Sequence, residues 1–152
     1  MKYTPSKINR WMFLKLPAAW LTGVRLTLID EDKCEVKVRF KWINQNPYRS
    51  MFWAVQGMAA ELTTGMLLTK CIQDSNANIS MLLVSNKSSF RKKAVGKITF
   101  TCSEGKVAKQ LINSTIQNIT SKAWLKARGY DELGDLVSEF EFEWSCKKRN
   151  NG

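Results

Sequence analysis

The stretch MFWAVQGMAAELTTGMLL, residues 51–68, predicts the element around which the remaining chain is organised. Eighteen helical residues are about 27 Å long, enough to cross a β-sheet. The large apolar side chains recur with the i, i+3, i+4 spacing of a helix that buries one face. Ser50 precedes the stretch as a predicted N-cap, and the helix is predicted to continue to about residue 72. The apolar positions are Phe52, Val55, Ala59, Leu62 and Met66.

Glu61 is the single formal charge within this stretch. A carboxylate in apolar surroundings loses its hydration, so it must find a partner, have its pKa raised or face a cleft. Two interpretations stay open on the sequence. Glu61 is either the one acid of a buried helix, facing water or capping a neighbour, or a functional acid in a crevice that binds an acyl group.

The composition of the chain is that of one globular domain. Its 152 residues are 44% hydrophobic and 24% charged, enough for a real core. We predict a single domain over residues 1–152, with an N-terminal helix over about 4–22, a core over 24–148 and a disordered tail over 149–152. The N-terminus lacks the regions of a signal peptide, and polar residues at the centre of 51–68 argue against a membrane span. We therefore expect a cytoplasmic protein.

The absence of histidine excludes several kinds of chemistry. Ser–His–Asp and Cys–His hydrolase machinery cannot be built from this chain. The four cysteines form no CxxC pair, so neither a metal site nor a disulfide framework is predicted. Cys34, Cys102 and Cys146 fall at the apolar positions of predicted strands, which indicates buried thiols. Acid–base chemistry near neutral pH must then come from a perturbed carboxylate, lysine, tyrosine or thiol.

The net charge of +11 is compatible with a polyanionic partner. Nucleic acid, an anionic membrane, an acidic carrier protein and a nucleotide-bearing ligand such as coenzyme A all fit that charge. Most basic residues, however, alternate along predicted strands, as they do on solvated sheet faces, and only 91–93 and 147–149 are basic runs. No recognition helix or aromatic RNA-binding motif accompanies the charge, so nucleic acid is not a predicted partner.

The N-terminal helix is predicted to start at Ser6 as N-cap, to break at Pro17 and to end at Gly23. An aromatic-rich amphipathic helix of this kind could lie on a membrane. We expect instead that its aromatic side chains cover the sheet or the mouth of a pocket. Its predicted apolar side consists of Ile8, Trp11, Met12, Leu16, Ala19 and Trp20.

Alternating apolar and polar residues predict the strands. They cover 24–29, 33–42, 81–84 with 88–90, 97–103, 122–130 and 136–148, with a short helix over 104–118. The strand over 33–42 is the clearest, and its last buried position is predicted to be Trp42. Sequential antiparallel strands with one long helix indicate an α+β fold, in which the sheet wraps around the helix.

Three regions of the chain carry motifs in a characteristic order. In the first, NPYRS at 46–50 leads into FWA at 52–54 and AAE at 59–61. The second is FRKKAVGK at 90–97, and the third is YDELGDLV at 130–137. Together they resemble the hot-dog fold and, within it, the thioesterase-like superfamily. The resemblance covers nearly all of 24–148 and is closest to an uncharacterised branch, a domain of unknown function, related to phenylacetyl-CoA-type thioesterases. In those enzymes the helix opens with His-Gly-Gly, where this chain has FWA, and Glu61 matches the position of their acid.

The resemblance implies hydrolysis of an acyl thioester, with Glu61 as base or nucleophile. The backbone N–H groups of Phe52 and Trp53 at the helix start would bind the oxyanion. Gln56 could orient the attacking water. Coenzyme A enters as part of the substrate, and no separate cofactor is implied. The remaining predicted substrate contacts are Asn46, Ser50, Arg91, Lys92 and Lys93, the last three at the phosphates of coenzyme A.

Alternatives remain for these residues and for the function. A loop turn and a helix cap explain Asn46 and Ser50 better than substrate contacts do, and a solvated strand end explains the run 91–93 as well as phosphate contacts do. The family implies a homodimer that shares its pocket across the interface, or a dimer of dimers. The missing His-Gly-Gly favours a second hypothesis, a non-catalytic module that binds an acyl chain, acyl-CoA or acyl carrier protein. A salt bridge between Glu61 and a lysine or arginine would support that module.

Overall fold

The computed structural model describes residues 3–150. These residues form four α-helices and one antiparallel sheet of six strands, with the strand order β1-β2-β4-β5-β6-β3. The helices are α1 (Pro5–Lys15), α2 (Pro17–Leu21), α3 (Trp53–Ser75) and α4 (Gly105–Asn118). The strands are β1 (Arg25–Ile29), β2 (Cys34–Arg39), β3 (Ile79–Phe90), β4 (Lys97–Cys102), β5 (Thr120–Tyr130) and β6 (Leu136–Lys148).

The N-terminal helix is divided at Pro17, as predicted, because proline cannot donate the helical hydrogen bond at that position. Gly23 follows α2 with φ +93°, a conformation that suits glycine. The predicted cap was wrong: Thr4 is the N-cap, and its hydroxyl accepts from the Lys7 N–H (3.4 Å). Ser6 lies inside α1.

Helix α1 covers the β1 edge of the sheet. The Asn9 side chain donates to the Leu26 carbonyl and accepts from the Leu26 N–H, both at 2.9 Å, as a neighbouring strand would. The predicted apolar side is only half correct, because Trp11 and Leu16 are exposed. Trp11 instead lines a cavity of about 260 Å³ beside Met66 of α3, so the mouth of a pocket, and not the sheet, is where this aromatic side chain lies.

The β1–β2 hairpin forms as predicted, and Cys34, Val36 and Val38 are buried. The second strand nevertheless ends at residue 39, and the prediction that Trp42 points inward was wrong. Trp42 begins a 3-10 turn and is 83% exposed. The turn forms because the buried Asn44 side chain accepts from the Lys41 N–H (2.8 Å) and donates to the carbonyl of residue 39 (2.9 Å).

The central helix α3 starts two residues later than predicted. Met51 and Phe52 are extended, and their N–H groups donate to the carbonyls of Ala94 and Asn44, both at 2.8 Å. Phe52 is consequently the N-cap position, and Ser50 is not the cap. The helix ends at residue 75, followed by Asn76 in the left-handed conformation (φ +55°).

Helix α3 contains 23 residues, about 35 Å, and packs against β1, β2, β4, β5 and β6. Alternate residues of these strands face it, and Phe100 and Phe140 are the largest fully buried side chains. An antiparallel sheet wrapped around one long helix is the hot-dog fold, so the predicted fold is confirmed. Within residues 3–150, no helix has both the length and the apolar character that crossing a membrane requires.

The C-terminal part follows the prediction closely. Helix α4 is formed over its whole predicted length, and β5 and β6 make the final hairpin. The predicted disordered tail begins too early, because the Arg149 N–H donates to the Asn78 carbonyl and its Nε to the Ser80 hydroxyl, both at 2.8 Å. Residues 151–152 lie outside the described residues.

Candidate active site

A cavity of about 530 Å³ opens at the N-terminal end of α3, between the loop before that helix and the loop after β3. It brings together every predicted site residue except Glu61. Tyr48 and Phe90 also line it, and sequence reasoning did not single them out, although both lie inside the quoted motifs. The predicted residues in its lining are Asn46, Ser50, Phe52, Trp53, Gln56, Arg91, Lys92 and Lys93.

Asn46 organises the loop at one wall of this cavity. Its side-chain oxygen accepts from the N–H groups of Tyr48 (2.9 Å) and Ser50 (3.2 Å), and its amide nitrogen donates to the Ser50 hydroxyl (2.9 Å). Arg49, between them, has φ +59°. These contacts form an Asx-type turn. Asn46 and Ser50 therefore stabilise the loop, which is the structural role considered for them on the sequence.

The helix start offers N–H groups to the cavity, but not the pair that was predicted. Phe52 donates its N–H to Asn44, so it is unavailable for an oxyanion. Trp53 and Ala54 are the first two residues of α3, and no acceptor for their N–H groups is present in the described part of the chain. The free N–H groups at the start of α3 are therefore those of Trp53 and Ala54, and a helix N-terminus of this kind favours negative charge.

Gln56 is buried in the wall of the cavity. Its oxygen accepts from the Ser138 hydroxyl (2.7 Å), and its nitrogen donates to the Met51 carbonyl (3.3 Å). The side chain thereby joins α3 to β6 and to the extended segment before the helix. Because both ends of its amide are engaged and Glu61 does not share its cavity, one chain does not assemble Gln56 with Glu61 around a water.

Glu61 lies farther along α3, on the line that also carries Gly57 and Gly65. A Cβ at Gly57 would be 3.5 Å from the Phe140 ring, and one at Gly65 would be 3.4 Å from the Trp144 ring and 3.5 Å from Glu61 Oε1. The carboxyl group is thus half-buried above an aromatic surface, and this burial raises its pKa. No lysine or arginine of residues 3–150 lies within ion-pairing distance of it.

The basic run at the cavity rim is only partly available to a ligand. Lys92 Nζ contacts Asp131 (2.7 Å) and Asp135 (3.1 Å), and these hydrogen bonds raise the Lys92 pKa. Lys93 Nζ donates to the Tyr48 carbonyl (3.2 Å). Arg91 forms no ion pair with any described residue. The predicted phosphate contact of Lys92 is therefore a structural ion pair to the β5–β6 turn, and Arg91 is the cation left for a ligand.

The cysteines offer no alternative nucleophile. Burial raises the pKa of Cys102 to about 12 and that of Cys146 to about 11, and it also raises those of Cys34 and Cys71. A thiol with such a pKa carries almost no thiolate at neutral pH. The perturbed carboxyl group of Glu61 is the candidate that remains.

The antiparallel sheet wrapped around α3 defines a hot-dog fold protein. The chain belongs to the family described as "Domain of unknown function (DUF4442)", whose model matches residues 5–146. The prediction that the chain belongs to an uncharacterised branch, a domain of unknown function, is therefore confirmed. No curated protein matches the chain.

Solved structures share the fold at low sequence identity. A protein of unknown function from Pseudomonas aeruginosa, described as a probable thioesterase, has a TM-score of 0.81 at 18% identity, with 96% of this chain and 97% of the other covered. A protein of unknown function from Chlorobaculum tepidum has a TM-score of 0.80 at 14% identity, covering 96% and 98%. A thioesterase from Haemophilus influenzae has a TM-score of 0.76 at 11% identity, covering 100% and 97%.

Proposed function

We propose that this protein hydrolyses an acyl thioester, with coenzyme A as the thiol carrier and Glu61 as the catalytic carboxylate. The observation that carries the proposal is the half-buried Glu61, whose pKa is raised and which has no cationic partner among the described residues. A structural acid in an apolar helix is expected to be paired. The likeness to thioesterase structures supports the reaction class.

The proposed reaction uses two groups of α3. The Glu61 carboxylate takes a proton from water, whose oxygen attacks the thioester carbonyl carbon. The N–H groups of Trp53 and Ala54 bind the oxyanion, and the C–S bond then breaks as the thiol leaves with the proton. As a nucleophile, the carboxylate would instead attack the carbonyl carbon itself, and water would hydrolyse the resulting anhydride.

Both groups must come from different copies of the chain. Trp53 and Glu61 are eight residues apart on one helix, about 12 Å along its axis, which is too far to serve one carbonyl group. We therefore include a homodimer in the proposal, in which Glu61 of one subunit faces the helix start of the other.

The edge strand β3 is where we expect the two copies to pair. Its twelve residues pair with β6 alone, while the opposite edge of the sheet is covered by Asn9. Leu82 and Val84 are exposed on this strand. A long exposed strand edge with apolar side chains over its first half is a template for another strand.

Replacing both Leu82 and Val84 by lysine is expected to convert a dimer into a monomer, because like charges would face each other across the paired edges. Sedimentation velocity measures the mass, and turnover should fall with it because the site would be split. The control is Leu133→Lys, an apolar and still more exposed position on the β5–β6 turn. A monomeric parent protein with full turnover would contradict the shared site.

Arg91→Ala is expected to raise KM for acyl-CoA about tenfold with little change in kcat, because a charged contact to phosphate acts equally on ground and transition states. The same variant should leave unchanged the turnover of an acyl thioester whose short thiol moiety carries no phosphate groups. Lys122→Ala, an exposed lysine without an ion pair in residues 3–150, is the control. Equal effects on both carriers would remove Arg91 from the coenzyme A site.

A second candidate, a non-catalytic module that binds acyl-CoA or acyl carrier protein, is favoured by the engagement of the Phe52 N–H with Asn44. Thiol release from acyl-CoAs of increasing chain length separates the two functions. Turnover that depends on chain length is the expected result. Absence of turnover, together with a melting temperature raised by acyl-CoA, would support the module instead.

A further inference from the structure

A corner of the molecule exposes many large apolar side chains. It is built from α1, α2 and the 3-10 turn Trp42–Asn44. Trp42 is 83% exposed and Leu21 63%, and it is their grouping, not their individual exposure, that distinguishes them from scattered surface residues. We refer to this set as the corner surface; it consists of Phe13, Leu14, Leu16, Leu21, Trp42 and Ile43.

Direct contacts hold the three segments of the corner surface together. The Phe13 ring lies edge-on to the Trp20 ring of α2, with centroids 5.5 Å apart. Asn44 donates from its side chain to the Thr22 carbonyl (2.9 Å), which fixes the 3-10 turn beside the end of α2. These contacts hold α1, α2 and the 3-10 turn against one another, so the exposed residues lie on adjoining segments.

The charged residues of the segments that build this surface are all basic. Residues 3–29 and 36–60, which contain all of the corner surface, include no aspartate or glutamate. Arg10, Lys15 and Lys41 are exposed within these segments, and none forms an ion pair with a described residue. Arg39, which lies nearby in sequence, is instead paired with Glu132 (3.9 Å).

We propose that the corner surface binds peripherally to an anionic lipid bilayer. Tryptophan, phenylalanine and leucine with adjacent lysine and arginine are the composition of interfacial membrane-binding surfaces. Protein–protein interfaces, in contrast, are depleted of lysine at their cores. The apolar side chains enter the headgroup region, and the three cations contact anionic headgroups. This binding is independent of the chemistry at Glu61.

Co-sedimentation with vesicles tests the proposal. The full-length protein is expected to bind vesicles of phosphatidylcholine with 30% phosphatidylglycerol, and to bind pure phosphatidylcholine at least tenfold more weakly. Binding should decline steeply as salt rises. Trp42→Ser is expected to reduce affinity about tenfold or more, and Lys15→Glu on the order of fivefold.

Matched controls lie elsewhere on the molecule. Trp124→Ser removes a tryptophan that is 37% exposed on β5, and Lys122→Glu reverses an exposed lysine of the same strand that forms no ion pair within residues 3–150. Neither should change vesicle binding. Equal weakening by variants and controls would show charge attraction without a defined surface, and no binding to anionic vesicles would likewise overturn the proposal. If Trp42→Ser lowers the mass in sedimentation velocity instead, a second copy of the chain covers this surface and the proposal is wrong.

Discussion

Glu61→Gln is expected to lower kcat for acyl-CoA hydrolysis by 10²–10⁴-fold, the usual contribution of a general base. The amide keeps the size and shape of the side chain but cannot accept the proton of water. If Glu61 acts as nucleophile, the loss is at least as large, because the amide cannot form the acyl-enzyme bond. A thiol-release assay measures the effect, and KM should change little if substrate is bound mainly by the cavity.

The same substitution is expected to stabilise the folded protein near neutral pH. Burial raises the pKa of Glu61, so the folded state binds its proton more tightly than the unfolded state does. As pH rises from the unfolded pKa through the folded pKa, the free energy of unfolding of the parent falls, and above that range the penalty is constant. Glu61→Gln lacks this penalty, so its advantage should be present at pH 8 and disappear below about pH 4.

The pH dependence of turnover has the opposite direction. A base must be ionised, so kcat/KM should rise with pH through the raised pKa of Glu61, above the range of an ordinary glutamate. Denaturant unfolding and kinetics on the same samples give both curves. The control is Glu31→Gln, an exposed acid paired with Lys109, which should change neither. Turnover that persists in Glu61→Gln would leave the fold intact and remove Glu61 from the mechanism.

Sequence predicts the elements of this fold whose pattern is local. The alternation in β6 and the helical spacing of α4 follow from residues a few positions apart, so these elements agree with the structure. The start of α3 is different, because the bonds of residues 51 and 52 to Ala94 and Asn44 determine where the helix can begin. Trp42 was misplaced for a similar reason, since the Asn44 side chain ends the strand before it.

The candidate site likewise combines features that the local sequence predicts with features that depend on residues distant in the chain. The motifs at 46–54 and 90–97 predicted the residues around the cavity, because they stand in the chain at the start of α3 and at the end of β3. Their roles depend on partners that are distant in sequence. Lys92 is held by Asp131 and Asp135, about forty residues later, and Gln56 by Ser138. The sequence identified Glu61 as the single charged residue of its helical stretch. Its distance from Trp53, which is too long for both to act on one carbonyl group, follows only from the continuous helix that the structure shows.

Gly105→Ala is expected to destabilise the protein by about 3 kcal/mol, the upper end for overpacking, and to lower Tm by roughly 6–12 °C. Gly105 begins α4 and donates its N–H to the Asp32 carbonyl (3.0 Å) in the β1–β2 turn. A Cβ here would overlap the Glu31 carbonyl oxygen and lie 2.6 Å from the Asp32 Cα. Both obstacles are backbone atoms, so the helix or the hairpin must move as a unit.

Gly57→Ala is the matched control for this substitution. Its Cβ would make only an ordinary contact with the Phe140 ring, at 3.5 Å, inside α3. Alanine is favoured over glycine within a helix, so this variant should gain about 0.5–1 kcal/mol. Chemical denaturation of the two variants and the parent measures both effects. Equal stability of Gly105→Ala and the parent would mean that α4 does not approach the β1–β2 turn this closely, and that the short backbone contact between them is not what requires glycine at residue 105.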